Sequence, residues 1–237
     1  MKHRHEPPAP PELGQRDGLS YALFTPPEPA AGGVVILHGA GSQKESHFDF
    51  GRVCRERGMA ALAFDARGHG ESTGSWGPSA VGDVLAMCDV LSPHAPRIGL
   101  RGSSMGGFMA IQAAAVEPSI AAVAAICPAP PDRLARGLAS GELNEFRADR
   151  DAAVAWLGTL DQERAAADLS PRTALLLLHA RGDEQVPYTV SERLHEAAGE
   201  PKRLLLFPGG HHRSLQHDNE VQNVTARFME RAFSAER

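Results

Sequence analysis

Cysteine is scarce in this 237-residue chain: only Cys54, Cys88 and Cys127 occur, widely spaced and without a CxxC pair. An odd number at that spacing suggests neither a disulfide framework nor a zinc knuckle, so buried reduced thiols are expected. A basic excess is also missing, because the net charge is -5 at pH 7. Nucleic-acid binding needs a cationic face that displaces counterions from phosphates, so nucleic acid is not an expected partner. No apolar run approaches the length of a membrane span, and no membrane partner is expected either. The opening "MKHRHEPPAPPELGQRDG" carries charge and proline but no apolar h-region, so it does not read as a signal peptide and the expected location is cytoplasmic. These residues, 1–18, are too polar and proline-rich to offset the entropy of ordering, and read as a flexible tail. Residues 19–237 then form one domain, a length that suits a single hydrophobic core.

What is present is a rhythm. Hydrophobic residues make up 42% and charged residues 22% of the chain, an ordinary globular balance. After an alternating edge segment, "LSYALFTPP", come short apolar runs at 33–39, 59–68, 97–103, 120–128, 173–180 and 201–209. They are nearly continuous in apolar residues, as strands buried on both faces are. Between them lie segments of helical character at 48–58, 78–92, 105–118, 190–199 and 219–233. Strand and helix in alternation predict an α/β fold: a mostly parallel sheet with helices on both faces and functional groups at the C-terminal strand ends. Some forty residues between Pro128 and Thr173 break the rhythm, and about 132–170 reads as a small helical lid insertion, with an elongated crossover as the alternative.

The strand ends carry chemistry. In "RGSSMGG" the frame G-x-S-x-G fits only Ser104, flanked by Gly102 and Gly106, between an apolar strand and a helical segment. A sharp strand-to-helix turn there presents a serine oxygen above the sheet. A serine hydroxyl needs a base, and the base needs an acid to orient it. Asp183 follows one later strand, and His211 and His212 follow the next, so acid and base candidates appear in the chain order Ser, Asp, His. "LHGAGS" closes an earlier strand, and the backbone N–H of Ala40 pairs there with that of Met105 as a candidate oxyanion hole. His38 and Gly39 of the same loop are candidate substrate-binding residues, although His38 reads first as a brace for that loop. Trp156, in the lid, either packs or lines an acyl pocket with Leu143, Phe146, Val154 and Leu157. A metal site of His211, His212, His217 and Asp218 is the competing reading, disfavoured because these histidines lack a helical i, i+4 pair.

The elements "HGAG" (38–41), "FDARGHGESTG" (64–74), "GSSMGG" (102–107), "GDEQVP" (182–187) and "PGGHH" (208–212) together resemble the α/β-hydrolases. Within that superfamily the chain is similar to single-domain serine esterases and to the hydrolase domains of serine aminopeptidases and acyl-peptide hydrolases, over residues 19–233. The resemblance implies Ser104 as nucleophile, Asp183 as acid and His212 as base, the last by its place in a P-G-x-x-H frame. His211 is the rival base, Asp218 and Asp65 are the rival acids, and Asp65 falls in a turn that braces the site in the family. The implied activity is hydrolysis of small or medium carboxylic esters through an acyl-enzyme, with no cofactor and no metal. Thioester or amide hydrolysis on the same residues is the first alternative, and a non-catalytic ligand-binding homologue the second. The expected partner is a small-molecule ester, and a homodimer is left open.

Overall fold

A computed structural model describes residues 9–235. Eight strands form one sheet: β1 (Glu12–Arg16), β2 (Leu19–Phe24), β3 (Gly33–Leu37), β4 (Ala60–Phe64), β5 (Ile98–Ser103), β6 (Ala122–Ile126), β7 (Ala174–Ala180) and β8 (Lys202–Phe207). Their spatial order is β1-β2-β4-β3-β5-β6-β7-β8. β1 and β2 are antiparallel, and the strands from β4 to β8 across the sheet pair in parallel. Every residue of β3, β4 and β6 is buried, which is why those runs are apolar throughout instead of alternating.

Eight helices accompany them among the described residues: α1 (Phe48–Glu56), α2 (Ala80–Leu91), α3 (Met105–Val116), α4 (Pro131–Ser140), α5 (Arg150–Leu157), α6 (Gln162–Ala167), α7 (Thr189–Ala197) and α8 (Asn219–Ser234). They leave two apolar layers. The larger gathers α2, α3 and the 131–167 insertion over one sheet face; the smaller packs α1 and α8 on the other. Among the described residues no helix is long and apolar enough to cross a membrane.

One expectation is corrected. Composition predicts a flexible tail through residue 18, yet residues 12–16 are a strand whose register runs from Glu12 opposite Leu23 to Arg16 opposite Leu19. The hairpin turns at Asp17 and Gly18, with φ of 53° and 80°. An Asp-Gly pair with both φ positive is the two-residue turn whose twist matches paired strands. Composition argued for disorder, and that dipeptide outweighs it. Of the rest of the expected tail, residues 9–11 lead into that strand without regular structure and residues 1–8 lie outside the described residues.

The insertion forms the expected short helices, and Asp149 and Asp161 cap α5 and α6 by accepting from Ala152 N at 3.3 Å and Arg164 N at 2.9 Å. It is stitched to the loop after β4: Arg147 N donates to Gly68 O (3.1 Å), Trp76 N to Arg147 O (2.9 Å) and Asp149 N to Trp76 O (3.1 Å). Leu134, Leu138, Phe146, Ala153 and Leu157 are buried in the larger apolar layer.

Candidate active site

Ser104 joins β5 to α3 with φ 53° and ψ -116°. A non-glycine residue in that region costs about 1–3 kcal/mol and persists only where its surroundings enforce it. Here they do: Ser104 N donates to Ile126 O at 2.9 Å, and Ser104 O accepts from Phe108 N at 3.0 Å and Ala129 N at 3.1 Å. The flanking glycines have no alternative. A Cβ on Gly102 would collide with the Gly106 carbonyl, and one on Gly106 with the Leu37 carbonyl. The chain can therefore bend only if both positions lack a side chain. Met105 opens α3, so its N–H has no acceptor within the helix and sits at the positive end of the helix dipole.

Asp183 follows β7 with its side chain fully buried. Its Oδ1 accepts from Gln185 N (2.9 Å) and Val186 N (2.8 Å), and its Oδ2 from His212 Nδ1 at 2.7 Å. A fourth donor, His179 Nε2, lies 3.3 Å from Oδ2. Burial alone would raise the carboxyl, but the hydrogen bonds from His179, His212 and Val186 N outweigh it and hold Asp183 far below the usual carboxylate range. An ionised acceptor fixes the proton on His212 Nδ1, which leaves Nε2 as the ring nitrogen with a lone pair.

Ser104 and His212 line one cavity of about 780 Å³, together with Gly39 and Ala40. His211 does not line it. That side chain turns to its own loop, where Nδ1 accepts from Arg213 N at 3.3 Å. Asp218 is occupied elsewhere, capping α8 by accepting from Glu220 N (2.9 Å) and Val221 N (3.0 Å). Asp65 is fully buried and accepts from Lys44 N at 2.7 Å, Lys44 Nζ at 2.8 Å and Glu71 N at 2.9 Å, a brace for the loops after β3 and β4.

Two substrate-binding expectations are corrected. His38 is buried with both nitrogens engaged: Nε2 accepts from Ala66 N at 3.0 Å and Nδ1 donates to Gly39 O at 2.8 Å. It pins the Gly39–Ala40 loop to the end of β4 and has no atom left for a ligand. Trp156 meets Trp76 and Phe108 edge-on, with centroids 5.6 and 6.0 Å apart, and is not among the residues around the cavity. Of the apolar lid residues expected in an acyl pocket, only Leu143 reaches the cavity wall. Polar groups such as Gln43, Arg133, Glu145, Glu184, Arg213 and Gln216 make up much of the rest.

The histidine-rich loop does not gather a metal site, since His217 Nδ1 donates to Asp49 Oδ2 at 2.9 Å and Asp218 caps a helix. Cys127, His179 and Asp183 do bring ligand-type atoms within 4.8 Å of one another. Burial, with the nearby Asp183 carboxylate adding to it, keeps the Cys127 thiol protonated, and both His179 nitrogens are already hydrogen-bonded. His179 is the residue that sequence reasoning passed over. Its signal was present: one imidazole at the end of an otherwise apolar run, four positions before the acid.

A family model described as serine aminopeptidase, S33, matches residues 28–148, just over half of the chain and including the Ser104 turn. The uncharacterized protein YfhR of Salmonella typhi is 28% identical over 227 residues, covering 90% of this chain and 76% of that one. The 2,6-dihydropseudooxynicotine hydrolase of Paenarthrobacter nicotinovorans is 38% identical over 104 residues, covering 40% of this chain and 27% of its own. Among solved structures, Est1E from Butyrivibrio proteoclasticus with bound ferulic acid superposes with a TM-score of 0.78 at 24% identity, covering 94% of this chain and all of that one, a likeness of fold. With the family match spanning the strand-turn-helix that carries Ser104, the chain belongs to the serine aminopeptidase S33 family of α/β-hydrolases and is a serine hydrolase.

Proposed function

We propose that the protein cleaves carboxylic esters with Ser104 as nucleophile, His212 as base and Asp183 as the orienting acid. The observation that carries this reading is the 2.7 Å contact between Asp183 and His212 Nδ1, made beside a cavity that the strained Ser104 also lines. His212 Nε2 takes the Ser104 proton as Oγ bonds to the carbonyl carbon, and the carbonyl oxygen becomes an oxyanion held by the Ala40 and Met105 N–H groups. Collapse breaks the bond to the alcohol oxygen, which receives the proton from His212. Water, deprotonated by the same nitrogen, then attacks the acyl carbon and returns the serine. The free, buried thiols of Cys54, Cys88 and Cys127 suit a reducing compartment, and we place the reaction in the cytoplasm.

Amide or peptide hydrolysis is the second reading, favoured by the serine aminopeptidase description of the family. A fluorophosphonate probe tests the site: the wild type is labelled and Ser104→Ala is not, whereas a folded wild type that resists labelling overturns the reading. His212→Ala loses turnover by at least about a thousandfold, and His211→Ala stays near the wild type. The reverse pattern removes His212 from its role. p-Nitrophenyl esters compared with aminoacyl anilides decide between the two bond types.

A further inference from the structure

Arg101 is an odd residue for the strand that ends at the nucleophile. It is fully buried, yet among the described residues no carboxylate lies within ion-pair distance. An unpaired buried charge is costly unless other contacts offset it. Two do. The guanidinium carbon sits 4.2 Å from the centroid of the Phe50 ring in α1, and Nη2 donates to the backbone oxygen of Gln216 at 2.7 Å. Burial lowers the Arg101 pKa only to about 10, so the group is still a cation at neutral pH.

Ser103 is two positions further along β5, so it points to the same face of the sheet. Its hydroxyl is 2.9 Å from Oε1 of the same Gln216 and donates to it. One strand therefore grips one residue twice, by the main chain and by the side chain. Gln216 lies four positions after His212, in the loop between β8 and α8, and also lines the cavity. The far side of its amide is held as well: Nε2 is 3.0 Å from His217 Nε2. An amide NH2 only donates, so that imidazole nitrogen accepts, and His217 Nδ1–H is left to meet Asp49 of α1 at 2.9 Å. Asp49 also accepts from Gln222 Nε2 of α8 at 2.6 Å. The loop that carries His212 is thus held by Asp183 at His212, by the nucleophile strand at Gln216 and by Asp49 of α1 at His217.

We propose that Arg101, Ser103 and Gln216 form a clamp that sets the position of His212 relative to Ser104, making them positioning residues for the proton transfer between the two. The clamp rests on the reading of Ser104 and His212 given above. Proton transfer is sensitive to this spacing, since a misplacement of about 1 Å can cost on the order of a hundredfold. It also gives Ser103 a task that its neighbour's motif does not: the second serine of "GSSMG" ties the elbow to the base loop.

A double-mutant cycle with Ser103→Ala and Gln216→Leu tests it, read by kcat and KM on p-nitrophenyl acetate, by the rate of fluorophosphonate labelling, and by amide hydrogen exchange over residues 211–217. Each single variant is expected to lower kcat and labelling rate about tenfold with KM within about twofold, and the double variant to lose no more than either single. Exchange in 211–217 rises in both, while melting temperatures change little. Wild-type kcat in both singles, or losses that multiply in the double variant, overturn the clamp. A wild type that neither labels nor turns over overturns the assignment of Ser104 instead, and exchange then judges the clamp alone: faster in Ser103→Ala supports it, unchanged refutes it.

Discussion

His179 shows how a residue without direct access to substrate constrains the proposed chemistry. Its Nε2 faces two acceptors, Val186 O at 2.9 Å and Asp183 Oδ2 at 3.3 Å, so that nitrogen must carry hydrogen. Its Nδ1 is hydrogen-bonded to the buried hydroxyl of Ser191 at 2.7 Å. The Ser191 hydroxyl thereby fixes a ring that in turn directs a hydrogen atom at the carboxylate of Asp183. Replacing His179 by Leu removes that donor and strands the Val186 carbonyl. An unsatisfied buried acceptor costs about 1–3 kcal/mol, and we expect urea unfolding to register a loss of that size. Asp183 keeps three of its four donors, so kcat should fall about tenfold, well short of the ~10⁴-fold known for loss of the acid's own orienting role. A kcat equal to the wild type would make His179 a packing residue only. Ser104, Asp183 and His212 were legible in the sequence because each follows an apolar run at a strand end and has a motif frame. His179, Arg101 and Gln216 were not, because their roles depend on which face of a strand or loop they share, and the sequence spacing alone does not supply the partner.

At the scale of elements, the loop after β4 and the lid behave as one piece. His69, in that loop, stacks on Phe146 of the insertion with centroids 4.1 Å apart and lies 4.8 Å from the His38 ring, while its Nδ1 contacts Arg67 O at 3.1 Å. Burial, reinforced by the neighbouring His38, lowers its pKa to about 4 from an ordinary 6.5. The depressed value fixes the sign of a pH effect. Above about 6.5 both folded and unfolded chains hold this ring neutral, and its full contribution to stability is present. Between 6.5 and 4 the unfolded chain binds a proton that the folded chain refuses, so stability drains away as the pH falls. At about 1.4 kcal/mol per pH unit the loss approaches about 3 kcal/mol. Denaturant titrations at pH 7 and pH 4.5 should therefore show the wild type losing about 2–3 kcal/mol more than His69→Phe, which keeps the stack and cannot titrate. Equal losses would mean that the buried ring is reached by water. The loop's role as a brace was implied by the family resemblance that "DARGHG" carries, and the helices of the insertion were legible from its alanine-rich, charged composition. The β1 hairpin was misread because polar composition was weighed over the Asp17-Gly18 turn, whose two positive φ angles commit the chain to pairing.

Across the whole molecule, the sheet places every proposed reactive group at the C-terminal ends of parallel strands: Ser104 after β5, Asp183 after β7 and His212 after β8, with Ala40 after β3. Alternation of strands and helices made that plan readable in advance. The character of the cavity was not readable, because it depends on which side of the insertion turns inward. Phe146 and Leu157 go into the larger apolar layer and Trp156 packs at its edge, while Arg133, Glu142 and Glu145 remain along the cavity. Among the described residues the exposed large hydrophobic side chains are Leu13 in β1 and Val116 at the end of α3, at 66% and 63% exposure, and neither lines the cavity. Each methylene of an acyl chain contributes about 0.8 kcal/mol only when it leaves water for an apolar wall. Leu134, Leu143 and Val186 give the wall an apolar part, but against the guanidinium, carboxylate and amide groups that share it a methylene gains little and displaces their water. Acyl chains beyond the first few carbons should therefore add nothing to transition-state binding. For p-nitrophenyl esters we expect kcat/KM to be highest for acetate through butyrate and to fall at least about tenfold by decanoate, measured below the micelle concentration of each ester. A kcat/KM that climbs steadily with chain length would instead require an apolar acyl channel, and Leu134 and Leu143, the leucines on the cavity wall, would be the first place to look for its mouth.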